Sequence, residues 1–298
     1  MTSLEVIRDN YKPYRYTIKG SSTIIETMTG KYVVKDKGKN DLHDLFNYLK
    51  SRSFIAFPNL IEDNRSDVNI FQYVEDVKMP QEQKAMDLVN VVASLHNKTT
   101  YFKDVPKDRY QEIYEDINNN ILYLQNKYNG LFDLTFEKVY PSPKELLFME
   151  SYTKIKNNLG FSKEKLDNWY DKIKDNDKER VALIHNNLTL DHYLKSDKDY
   201  LISWDKAKVD SPILDMIKLY QKEYLNINFS QILTKYFSLY PMNQEEKDLF
   251  FLMISIPPEI NFTNDEFEDC LNLRRILEYI SKTEKLIRPY YTENKIEK

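Results

Sequence analysis

Between residues 181 and 205 the chain reads VALIHNNLTLDHYLKSDKDYLISWD and gathers side chains that handle protons and metals: His185, Asn187, Asp191, His192, Ser203 and Asp205. Carboxylates accept protons and ligate hard cations. Imidazole titrates near neutrality and prefers softer metals. Amides and hydroxyls stay neutral and act through hydrogen bonds. His185, Asp191 and His192 alone would suggest zinc, but no cysteine lies near them and their spacing is that of a loop, so that reading is set aside. Far upstream, Lys35 ends the apolar run KYVVK. It could meet phosphates as a point charge, or be one more solvated lysine beside Lys31, Lys37 and Lys39. Gly20-Ser21-Ser22 could cradle phosphates through backbone N–H groups, or simply turn a hairpin. The chain has five glycines and none stands in a G-x-G-x-x-G pattern.

These residues need elements to hold them. Residues 16–18, 22–26 and 31–35 are short β-branched runs separated by Gly20-Ser21-Ser22 and Met28-Thr29-Gly30, which predicts a hairpin and a third strand. Within 41–49, Leu42, Leu45, Phe46 and Leu49 share a helical face. Phe57-Pro58 and Asn64-Arg65-Ser66 are breaks, and 69–74 reads as another strand. From Pro80 the period turns helical. Ala85, Leu88, Val92 and Leu95 form one stripe; Tyr110, Ile113, Tyr114, Ile117, Ile121 and Leu124 form a second. Helices also fit 144–158, 162–174, 213–224, 228–240, 244–254 and 264–283. The expected architecture is α+β: a small β-rich lobe over 1–75, then a larger helical lobe over 76–298 that carries the 181–205 segment, with the crossing at 73–78.

Composition bounds the function. Of 298 residues, 41% are hydrophobic and 30% charged, enough for a sizeable core. The net charge of −4 lacks the basic excess of a general nucleic-acid binder. MTSLEVIRDNYKPYRY at the start has no apolar signal region, and the longest apolar run, LFFLMISI, is too short for a membrane span. The single Cys270 excludes an intramolecular disulfide and any CxxC metal site; a reducing cytoplasm is the expected location. Asp265-Glu266-Phe267-Glu268-Asp269 could attract a cationic substrate, or be a solvated helix start favoured by the macrodipole. His43 reads as a helix-surface residue, His96 as a structural one, and the tail at 292–298 as frayed.

In order and spacing, several segments resemble the aminoglycoside and choline kinase-like phosphotransferases, more narrowly their spore-coat kinase-like branch. Tyr32-Val33-Val34-Lys35 is similar to the family's strand with its nucleotide lysine. Residues 69–76, with Tyr73 and Val74, resemble the interlobe hinge, and Ala93-Ser94-Leu95-His96 its A-x-L-H helix end. His185-Asn186-Asn187 stands where the family has H-G-D, His192 where it has a metal-binding Asn, and Leu201-Ile202-Ser203-Trp204-Asp205 where it has I-D-W-E. Pro212 and Asp215 resemble G-P-x-x-x-D. The resemblance implies a protein-kinase-like two-lobed fold, with a small antiparallel β N-lobe and a mainly helical C-lobe. It also implies a nucleotide site of Lys35, Gly20, Ser21, Ser22, Tyr73 and Val74, with ATP and Mg²⁺ as the cofactors.

The chemistry implied by that resemblance is compromised residue by residue. Asn187 takes the base position, and an amide accepts no proton at neutral pH. Ser203 takes the principal metal-carboxylate position as a neutral, weaker ligand. His192 takes the second metal position, where imidazole suits Mg²⁺ poorly. Loss of a general base alone costs about 10²–10⁴ in rate. The expectation is an impaired or non-catalytic binding or scaffold protein, tied to sporulation by the spore-coat resemblance. Its partner would be a small molecule or a protein. The alternative is an active ATP-dependent phosphotransferase on a hydroxylated small molecule, with Asp191 and Asp205 supplying displaced carboxylates and Ser203, His192 and Asp205 as the metal set. His185 and Asp215 hold the loop in either case, and Asp41 or Asp44 is the expected acidic partner of Lys35.

Overall fold

Period-two patterning builds the sheet that carries Lys35. The computed structural model describes residues 11–38, 41–61 and 68–293. The stretch before Tyr11, Lys39, the expected break at Asn64-Arg65-Ser66 and the tail from residue 294 lie outside the described residues. Strands β1 (Arg15–Lys19), β2 (Ser22–Thr27), β3 (Gly30–Asp36), β4 (Leu60–Ile61) and β5 (Val68–Gln72) form an antiparallel sheet of order β1-β2-β3-β5-β4. Alternation gives it two faces. Ile25, Val34, Val68 and Ile70 pack into one buried cluster. Ile24, Val33 and Phe71 pair across β2, β3 and β5 and stand on the opposite face. Lys35, two residues after Val33, shares that opposite face. The β1–β2 hairpin pairs Lys19 with Ser22, leaving Gly20 and Ser21 as its two-residue loop. Gly20 has φ +55°, the positive value such loops favour at their first position.

Helices α1 (Leu42–Ser51) and α2 (Gln81–Thr99) come next, followed by β6 (Tyr101–Asp104), α3 (Arg109–Phe136) and α4 (Pro143–Ile173). Then come β7 (Lys178–Ile184), β8 (Tyr193–Lys195), β9 (Asp199–Leu201), β10 (Lys208–Asp210) and helices α5 (Ile213–Glu223), α6 (Phe229–Leu239), α7 (Gln244–Ser255) and α8 (Glu266–Glu293). The chain forms two compact units. One comprises Met1–Tyr101, Ala182–Lys218 and Ser238–Tyr240; the other comprises Phe102–Val181, Leu219–Phe237 and Pro241–Lys298.

In the first unit, Asp41 caps α1, its Oδ1 accepting from the N–H groups of His43 at 2.8 Å and Asp44 at 3.3 Å. Leu42, Phe46 and Leu49 are buried on that helix, while His43 is exposed. Along α2, the stripe Ala85, Leu88, Val92 and Leu95 is fully buried. Phe46 stacks on Phe57 at 4.3 Å, and both meet Trp204 edge-on, as does Phe54. Such aromatic pairs each add about 0.5–1.5 kcal/mol beyond burial. This cluster fixes the chain on both sides of Trp204.

The second unit is helical, with a core that includes Tyr128, Phe148, Leu166 and Trp169. The helices expected at 144–158 and 162–174 are one continuous helix, α4. Gly160 does not end it, because Leu159, Ser162 and Leu166 continue the buried stripe through it. Glu145 takes the N–H of Ser142 at 2.8 Å to start that helix, with Pro143 as its first residue. Helix α8 runs ten residues past the expected end at 283. Asp265 caps its start through the N–H groups of Phe267 and Glu268. Asp269, however, is buried and bound to Lys144 Nζ at 2.6 Å and to Thr263, so the acidic run is not wholly solvated.

Candidate functional site

Lys35 and the 181–205 segment meet in the first unit. The Lys35 ammonium donates to Ser203 Oγ at 3.0 Å and lies 3.5 Å from Asp205 Oδ2. Its side chain is 14% exposed against 37% for Asp205, so the lysine is the more desolvated partner. The carboxylate it pairs with is therefore Asp205, neither Asp41 nor Asp44; Asp41 is occupied at the start of α1.

Ser203 has φ +66°, a left-handed conformation that costs a non-glycine residue about 1–3 kcal/mol and persists only where surroundings impose it. The surroundings here are specific. Trp204 is buried and its Nε1 donates to Leu201 O at 2.7 Å. The N–H of Leu201 donates to Ala56 O, and that of Ile202 to His192 O. Asn186 also takes positive φ, +59°, where the resembling motif has glycine; Asn tolerates this region better than most residues.

The loop from His185 to Asn187 hangs on Asp215, a fully buried carboxylate at the start of α5. Asp215 Oδ2 accepts the N–H of His185 at 2.8 Å and His96 Nε2 at 3.1 Å, while Oδ1 accepts the N–H of Asn186 at 2.6 Å. Burial would raise its pKa, but the His96 hydrogen bond, the charges of His96 and His185 and the backbone N–H together hold it below the usual carboxylate range. His185 is buried too. Its Nε2 donates to Ile202 O at 2.8 Å, and its ring meets Trp204 at 4.9 Å. Burial pushes the imidazole down to about 4, against the opposing effect of Asp215, so the ring is neutral at physiological pH. Lys218 donates to both Asn186 O and its side-chain oxygen, while Asn186 Nδ2 donates to Lys206 O.

A cavity of about 630 Å³ opens beside Lys35. Of the sequence-selected residues, Gly20, Ser21, Ser22, Lys35, Tyr73, Val74, Asp191, His192, Ser203 and Asp205 line it. Asn187, His185 and Asp215 are not among its lining residues. His192 Nδ1 donates to Asn187 O at 2.6 Å, which ties the backbone of the loop to a cavity-lining ring. The apolar wall includes Ile24, Val33, Phe71, Leu194 and Ile202.

Three polar residues of this region escaped the sequence reading. Lys19 lines the cavity beside the hairpin loop; the two-residue turn that pairs it with Ser22 was the available signal. Asp76 also lines it, and is held by Lys195 N at 2.8 Å and Lys84 Nζ at 3.1 Å. Lys218 stands one helical turn from Asp215, a spacing that would have placed it on the same face.

The donors fit an anionic ligand better than a hard divalent cation. Lys35, Lys19 and the turn at Gly20-Ser21 suit phosphate oxygens. A metal set of Ser203, His192 and Asp205 would offer one carboxylate, already beside an ammonium, plus a hydroxyl and an imidazole. Among the described residues, no group of three or more His, Cys, Asp or Glu is placed to hold a metal ion. No described helix is long and apolar enough to cross a membrane.

No protein-family model and no curated protein matches the sequence. Solved structures do. An aminoglycoside phosphotransferase from Alicyclobacillus acidocaldarius superposes with a TM-score of 0.70 at 11% identity, covering 97% of this chain and 95% of that one. The AMP-bound complex of a spectinomycin phosphotransferase gives 0.54 at 13%, covering 95% and 93%. A choline/ethanolamine kinase family protein from Mesorhizobium loti gives 0.50 at 11%, covering 96% and 99%. At these identities the likeness is one of fold: the chain has the two-lobed α+β fold of the kinase-like phosphotransferases, with a small antiparallel β-sheet lobe and a larger helical lobe.

Proposed function

We propose that this protein binds a nucleotide in the cavity beside Lys35 and is impaired in Mg²⁺-dependent phosphoryl transfer, acting as a binding or scaffold protein for a small-molecule or protein partner. The observation that carries the reading is the Lys35–Ser203 hydrogen bond at 3.0 Å. The lysine lines a 630 Å³ cavity, but the residue it meets is a neutral hydroxyl where transfer chemistry needs a metal-binding carboxylate. Asn187 adds to this, since an amide at the base position accepts no proton. In this reading Lys35 and the Gly20-Ser21-Ser22 loop hold phosphates, Tyr73 and Val74 border the base end, and His185 and Asp215 fix the loop. Assignment to the spore-coat kinase-like branch, a cytoplasmic location and a lobe boundary after residue 75 rest on the sequence signs alone.

The test combines a thermal-shift titration with a turnover assay. A nucleotide at about 100 times its Kd should stabilise the fold by roughly 2.7 kcal/mol, while ADP formation stays at background. No shift at millimolar nucleotide would end the binding reading.

One observation favours a second reading, an active phosphotransferase with displaced carboxylates: Asp191 and Asp205 both line the cavity. Solved neighbours of this fold include aminoglycoside phosphotransferases and choline/ethanolamine kinase family proteins, so hydroxylated amines are the acceptors to try. Turnover that survives Asn187→Ala but is lost in Asp205→Asn would establish this second reading over the first.

A further inference from the structure

We infer that the cavity binds the polyphosphate of a nucleotide without a divalent metal, the Lys35 ammonium occupying the place of the ion. This rests on the proposed nucleotide-binding function and goes beyond it. The two oxygens nearest that place, Ser203 Oγ and Asp205 Oδ2, already share one cation, at 3.0 and 3.5 Å. A Mg²⁺ bound to both, at about 2.0–2.1 Å from each, would sit against the ammonium and be repelled by it. The third member of the expected metal set is a poor replacement ligand. His192 gives its Nδ1 proton to Asn187 O, leaving imidazole Nε2 as its only lone-pair site, which Mg²⁺ disfavours. Asp76 is taken by Lys84 and by the Lys195 amide.

The cationic side of the cavity, by contrast, matches a free polyphosphate. Lys35 and Lys19 both line it, and the hairpin loop at Gly20-Ser21 stands beside Lys19. A nucleotide stripped of Mg²⁺ carries more negative charge than its metal complex and gains more from two lysines. Bound metal would neutralise the charge the site is built to meet. The metal and the lysine are therefore competitors here, where in a transferring site they cooperate.

Calorimetric titration of the full chain with ATP, once in EDTA and once in excess Mg²⁺, tests this. The expected result is binding in EDTA that is as tight as, or tighter than, binding in Mg²⁺. Lys35→Ala should weaken the EDTA affinity by about 10- to 100-fold, the loss of a charge-assisted contact. Ser203→Asp should give Lys35 a stronger internal partner. That variant should bind ATP more weakly in EDTA and recover affinity when Mg²⁺ is added. Binding of wild type that requires Mg²⁺ would overturn the inference and leave the nucleotide-binding function standing. Absence of binding under both conditions would overturn the two together. A Ser203→Asp variant with wild-type affinity in both buffers would also overturn it, because Ser203 would then have no part in setting the metal response.

Discussion

Asparagine at position 215 puts an NH2 group where the surroundings hold backbone N–H donors. Asp215 Oδ2 now serves His185 N and His96 Nε2, and Oδ1 serves Asn186 N. In Asp215→Asn the amide oxygen can replace one carboxylate oxygen only. If it takes the Oδ2 place, the NH2 confronts the N–H of Asn186; if it takes the Oδ1 place, it confronts that of His185. Either way a charge-assisted hydrogen bond worth about 1.5–3 kcal/mol is lost, and a backbone donor is stranded in a buried site at about 1–3 kcal/mol. A central value is near 4 kcal/mol, a large part of a typical stability of about 5–15 kcal/mol. For a chain of this size that corresponds to a Tm lower by about 6 °C. Because the chain has two compact units, the sharper assay is hydrogen exchange at the amides of His185 and Asn186. At least one of them should lose protection by a comparable free energy. A Tm drop under about 2 °C, with both amides still protected, would refute the claim that Asp215 suspends this loop.

Other perturbations test other links. His185 titrates down near 4, mainly because burial disfavours the imidazolium, whereas an unfolded histidine titrates near 6.5. Between those values the unfolded chain takes up a proton that the native one refuses. This contribution to stability is full above about pH 6.5 and falls as pH drops, by up to about 1.4 kcal/mol per unit, until about pH 4. An NMR titration placing His185 near 6.5 in the native protein would contradict it. Gly160→Ala should stabilise α4 by about 0.5–1 kcal/mol in urea denaturation, since an added Cβ meets nothing within 4 Å; a loss of stability would mean the helix does not continue there. Trp204→Ala should cost about 3–5 kcal/mol and free the 201–205 segment, read by denaturation and by loss of the Leu201 amide's exchange protection.

Much of the fold was legible because it is written in local periods. KYVVK alternates, so Val34 had to face the core if Val33 and Lys35 faced the other way, and the register in β3 has that form. The α2 stripe was equally plain. The break expected between 158 and 162 does not occur, because the buried face on either side is enough to carry the helix through Gly160. Lys35 shows where local reading ends. Its acidic partner was sought in the next helix, but Asp41 is consumed by capping, and the carboxylate that reaches the lysine comes from Asp205 on a distant stretch of chain. The positive φ values at Asn186 and Ser203 were also invisible, since neither residue is glycine and both conformations are imposed by tertiary bonds.

In the proposed function, Lys35 holds a nucleotide's phosphates in a site that does not transfer them. Phosphorus-31 NMR of ATP with a stoichiometric amount of protein, in Mg²⁺ and a mixture of hydroxylated amines, reads both halves at once. The β and γ resonances should shift or broaden with wild type and not with Lys35→Ala, and the γ signal should persist for hours. Rapid loss of the γ signal that Lys35→Ala abolishes would contradict it.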